Sequence, residues 1–110
     1  MRDDRGDMDP LELLESVAPR TAAALSQLGD AVEAEAYLDE QTLLVCRIAI
    51  AAAMGDAEGV YEWGIAAEEA GVSRDRAIGA VLVAVSMAGP LVVWDCLPAI
   101  VSAYDSENGG

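Results

Sequence analysis

Apolar residues recur along this chain at helical rather than alternating spacing. Leu11, Leu13, Leu14 and Val17 form one stripe behind Asp9-Pro10, a pair suited to cap a helix and open its first turn. Pro19 interrupts that stripe. A second helical piece is expected over 20–28, stopped by Gly29, with the acidic residues 30–35 leading into or forming another short helix. Beyond Leu38, either Asp39 or Thr42 can cap a helix that runs to about Met54 and stops at Gly55. Asp56 can cap the next, which ends at Gly71. Ser73, reinforced by Asp75 and flanked by Arg74 and Arg76, caps a third that reaches Gly89. Pro90 opens a fourth that continues to about Tyr104, bent at Pro98. No segment shows sustained period-two alternation, so strands are not expected. The pattern predicts an all-α chain: a mobile acidic tail over 1–8, an N-terminal helical segment over 9–37, a compact helical bundle domain over 38–105, and a fraying tail over 106–110.

Two stretches sharpen this picture. In the helix after Asp56, Val60, Trp63, Ala67 and Ala70 share one face, while Glu58, Glu62 and Glu69 share another. The first face is expected inside and the second in water. From Ala77 to Trp94 no residue is charged, which meets the length of a membrane span. Gly79, Ser86 and the central Gly89-Pro90 break argue instead for two helices buried on nearly all sides. In a small domain, that implies burial against a second subunit.

Composition removes several mechanisms. The 110 residues suit one domain and contain no His, no Phe and no Lys; the six cations are all Arg against 20 acids, for a net charge of −14. Without His there is no Ser-His-Asp triad and no His-ligated metal, and without Lys no Schiff base. The acidic balance opposes nucleic acid and anionic lipid as partners. No cofactor is expected. Cys46 and Cys96 lie too far apart in sequence for a redox CxxC pair, and they read as reduced, buried thiols of a cytoplasmic protein. The N-terminal residues 1–9 carry no hydrophobic signal core. The acids Asp30, Glu33, Glu35, Asp39 and Glu40 lack the Gly-centred spacing of a calcium loop and read as a solvated face.

The run from Leu38 to Ala51, followed by Trp63, Ala67, Gly71-Val72-Ser73, Ile78 and Gly89-Pro90, resembles the carboxymuconolactone decarboxylase and alkylhydroperoxidase-like superfamily over about 38–104. The resemblance implies an all-α domain assembled as a homo-oligomer, trimer or hexamer, with pockets near subunit contacts. Its redox members carry an Arg and a Glu on the first core helix and a Cys-x-x-Cys-x-x-x-His motif on the second. Here the Arg position falls on Leu43, the Glu on Leu44, the two Cys on Asp56 and Gly59, and the His on Trp63. The decarboxylase branch is expected to keep the His, which this chain lacks. The resemblance therefore implies a retained scaffold without the parent chemistry, with Trp63 facing the former cavity.

Other residues remain as candidates. Arg47, the single cation between Arg20 and Arg74, suits a bidentate hold on a carboxylate or enolate, or a structural ion pair. Asp95 interrupts an apolar run and suits a general acid or base if dry, or an exposed face if not. Trp63 and Trp94 suit pocket walls, core filler or interface anchors, with the Tyr61 hydroxyl and Cys46 nearby. Glu62, by its face, reads as solvated. The functions left open are a cofactor-free lyase, isomerase or cyclase with Arg47 and Asp95 as catalytic groups, a non-catalytic ligand-binding or assembly protein, and a residual thiol peroxidase. The expected partners are a small apolar or carboxylate-bearing molecule and further copies of the chain.

Overall fold

The computed structural model describes residues 9–109, with side chains through Asp105. These residues form six helices: α1 (Pro10–Val17), α2 (Pro19–Glu35), α3 (Glu40–Ala53), α4 (Ala57–Glu69), α5 (Arg74–Ala88) and α6 (Val92–Gly109). No strand occurs among the described residues. The expected tail over 1–8 lies outside them. Contacts divide the chain into one unit through Tyr37 and a second from Leu38 onward.

In the first unit, Asp9 caps α1 with a full capping box: its side chain accepts from the first turn while Glu12 accepts from the Asp9 N–H. Pro19 opens α2. The expected stop at Gly29 does not occur, and α2 runs unbroken to Glu35. One glycine costs a helix interior about 1 kcal/mol, which the Ala- and Leu-rich turns around it outweigh. Only Ala22 is buried in this helix pair.

In the second unit, α3 packs on α4 and α5, and α6 packs on the same two. Thus α3 and α6 are diagonal, and the turn from α4 to α5 crosses the bundle. Side chains fix the polarity. Gln41 Nε2 donates to the Ala70 carbonyl at 2.9 Å, joining the start of α3 to the end of α4. Arg76 Nη1 donates to Gln41 Oε1 at 3.1 Å, adding the start of α5. Arg74 Nε lies 3.5 Å from Asp105 Oδ1, and the Tyr104 hydroxyl donates to the Val72 carbonyl at 2.8 Å, adding the end of α6. Two antiparallel hairpins, α3–α4 and α5–α6, therefore lie side by side, with a polar clasp at one end.

Local sequence explains each boundary. Asp39, Asp56 and Ser73 accept from Thr42, Gly59 and Arg76 N–H groups at 2.8, 2.9 and 3.1 Å. Gly55, Gly71 and Gly89 take positive φ where α3, α4 and α5 end. Pro90 and Leu91 form a turn, so α6 starts at Val92 rather than at Pro90, and it runs past Tyr104 to Gly109.

The core is built from Ile48, Val60, Val81, Cys96 and Ile100 among many alanines. Small residues let the helices approach closely. At Gly64 an added Cβ would lie 2.7 Å from both Ala103 Cβ and Ile100 Cδ1, so α4 and α6 touch backbone to side chain there. The expectation of burial on nearly all sides over 77–94 is not met within the chain. Helix α5 buries Ala77, Ala80, Val81 and Ala84, and it exposes Leu82, Val83 and Met87. Among the described residues, no helix is long and apolar enough to cross a membrane.

Candidate functional site

The end opposite the polar clasp, where α3 and α5 stop and α4 and α6 start, carries two grooves. The first holds about 180 Å³ between α3 and α4. Helix α3 supplies Arg47, Ile50 and Ala51, and its C-cap Met54 continues the same face at the i+7 position. Asp56, which caps α4, and Trp63 complete it. The Arg47 Cζ atom sits over the Trp63 ring, 4.7 Å from its centroid, within cation–π range.

Trp63 was expected on the inward face of α4 with Val60, Ala67 and Ala70. The inward residues are Val60, Gly64 and Ala67. The close α4–α6 contact at Gly64 leaves no room for an indole, and Trp63 lies at the rim, 36% exposed. It walls an open groove rather than an enclosed cavity.

The second groove, about 260 Å³, lies among the ends of α3 and α5 and the start of α6. Met54, Leu91, Val92, Asp95 and Cys96 are among its lining residues. Asp95 is exposed, and among the described residues no carboxylate or guanidinium is buried. Cys96 is fully buried, with Sγ 3.9 Å from the Ala52 carbonyl oxygen. Burial pushes its thiol above the ordinary value, and the charges of Asp95 and Asp56 push the same way. A thiol so protonated is a poor nucleophile.

The structure thus separates the two residues read as catalytic. Arg47 lines the first groove and Asp95 the second, with Met54 on the rim of both. Trp94 is 71% exposed, Tyr61 is exposed, and Cys46 is half-buried. None of these three lines either groove. Cys46 and Cys96 stand on the diagonal helices α3 and α6. At the positions where the resemblance places two cysteines, Asp56 and Gly59 form the α4 cap, Asp56 Oδ1 accepting from the Gly59 N–H. Leu44, at the Glu position, is buried in the core.

Sequence reasoning passed over Ile50 and Met54 and took Asp56 only as a cap. The signal was present in the i, i+3, i+4, i+7 spacing of Arg47, Ile50, Ala51 and Met54. Among the described residues, no group of three or more Cys, Asp or Glu side chains is placed to hold a metal ion. Comparison with protein-family models, curated proteins and solved structures finds no match to this chain.

Proposed function

We propose that this protein is a non-catalytic ligand-binding module on a carboxymuconolactone decarboxylase-like helical scaffold, and that it holds a small apolar carboxylate in the Arg47–Trp63 groove. The observation that carries this reading is the Arg47 guanidinium over the Trp63 indole on the wall of that groove. A guanidinium carries forked N–H donors whose planar geometry matches a carboxylate, and the indole beside it offers a cation–π contact. Ile50, Ala51, Met54 and the indole offer apolar surface to the rest of the ligand.

The cofactor-free lyase, isomerase or cyclase reading needs Arg47 and Asp95 to act on one substrate. Their placement in separate grooves, with Asp95 exposed, supports binding over catalysis. The thiol peroxidase reading is weakened further by the burial of Cys96. We further propose that the module works as a homo-oligomer, trimer or hexamer, in the cytoplasm. Ile50, Met54, Met87, Leu91 and Trp94 are exposed apolar side chains of the second unit, surface that a second subunit would bury.

A titration with 2-naphthoate, read by tryptophan emission, tests the binding claim. Saturable quenching is expected in the wild type and is lost in Arg47→Ala and Trp63→Ala. Absence of saturable binding, or equal binding in both variants, overturns it. Native mass spectrometry tests the assembly by subunit number, and a monomer at all concentrations removes the oligomer from the proposal.

A further inference from the structure

The N-terminal unit exposes an apolar stripe on α2. On α2, Ala22 is buried, whereas Leu25, Leu28 and Val32 are 51, 59 and 47% exposed. With Thr21 these residues follow the 4-3-4 spacing of a coiled-coil seam. The charges of the same helix are reversed with respect to its dipole. Its first turn has Arg20 and no acid, and its last turn has Glu33 and Glu35 and no cation. By the helix dipole, the Arg20 end and the Glu35 end of α2 each suit the opposite end of another such helix.

From these two observations we infer that α2 is a self-recognition element: it pairs antiparallel with α2 of a second copy, Leu25 against Leu28. A two-fold contact of this kind is isologous, so one self-complementary stripe serves both copies. In this register Thr21 lies across from Val32 of the second copy. Arg20 lies within about 3 Å, along the axis, of the level of Glu35 of the second copy. Both residues stand on the Ala24 flank of the seam, within reach of an arginine side chain. Parallel pairing would instead set acidic ends side by side. The contact occurs twice per pair and is independent of the Arg47–Trp63 groove.

Pulsed electron paramagnetic resonance on the full chain tests the register, with spin labels at Gln27→Cys or at Ala34→Cys in a Cys46→Ser, Cys96→Ala background. Antiparallel pairing predicts a short copy-to-copy distance at 27. At 34 it predicts about 20 Å of additional axial separation. Equal distances at the two sites, or no dipolar coupling, overturn the proposal. Sedimentation equilibrium on the chain with its native cysteines gives a second measurement. Arg20→Glu or Glu35→Arg alone should weaken association about fivefold, and the double reversal should restore it. Along one helix the two positions are about 22 Å apart, so rescue requires a second copy. Association unaffected by the single reversals, or not restored by the double, also overturns it.

Discussion

The Arg47 Cζ atom lies over the Trp63 indole, 4.7 Å from the ring centroid, on a groove whose other walls are Ile50, Ala51, Met54 and Asp56. This joins the one cation of the α3 face to the large aromatic ring of α4. A double-mutant cycle on Arg47→Ala and Trp63→Ala should give a coupling of about 0.5–1 kcal/mol, the range for a partly exposed cation–π pair. Chemical denaturation measures it, and a coupling of zero would show that the contact contributes nothing to stability.

Two glycine-to-alanine changes should have opposite signs. At Gly64, the new methyl meets Ala103 Cβ and Ile100 Cδ1 at 2.7 Å. The isoleucine tip can turn aside, but the alanine Cβ can move only with its helix. Net destabilisation of about 1–2 kcal/mol is expected after the gain in helix propensity. At Gly29 nothing lies within 4 Å. Gly29→Ala should strengthen α2 by about 0.5–1 kcal/mol, read as an increase in helicity and thermal midpoint. The first prediction fails if Gly64→Ala is neutral.

The buried Tyr104 hydroxyl, donating to the Val72 carbonyl, ties the end of α6 to the α4–α5 turn. Tyr104→Phe leaves that carbonyl without this donor and should cost about 1–2 kcal/mol. Burial, with a lesser push from Glu68, raises the Tyr104 pKa above its ordinary value of 10.0. Burial likewise raises Cys96 above 9.0. In both cases the unfolded chain releases its proton first as pH rises. Their contribution to stability is therefore complete below pH 9 and declines above it, first through the thiol and then through the phenol. Denaturation midpoints across pH 8–11 should fall in the wild type and fall less in Tyr104→Phe.

Asp39 gives the opposite dependence. Its carboxylate accepts from the Thr42 N–H and hydroxyl, which holds its pKa below the ordinary 3.8. The charged form is favoured in the folded state. The stabilisation is present above that value and disappears as pH falls through the lowered folded pKa. Asp39→Asn keeps a capping oxygen, so its midpoint should match the wild type more closely at pH 2.5 than at pH 6. A constant difference between the two chains would contradict this role.

Much of the fold was readable residue by residue. Asp9-Pro10, Asp39, Asp56 and Ser73 announced four helix starts, because a cap acts on N–H groups two or three residues away. Gly55, Gly71 and Gly89 announced three stops for an equally local reason. The missed stop at Gly29 is also local, a penalty too small to end a helix supported on both sides. The candidate groove was only half readable. Arg47 and Trp63 stood out as the rare cation and large ring of their helices, but nothing in their own neighbourhoods said that they meet.

Sequence by itself determined helix type, the capped starts, the glycine stops at 55, 71 and 89, and the acidic surface, since each depends on interactions within a turn or on summed charge. Tertiary structure decided which face of α4 points inward. Periodicity assigned Trp63 and Ala67 to a common inner face, yet the approach of α6 to Gly64 set the contact line and left the indole at the rim. It also placed Arg47 and Asp95 in different grooves, because α3 and α6 are diagonal in the bundle. Spacing along a helix fixes relative angles, whereas the packing of neighbouring helices fixes where those angles point.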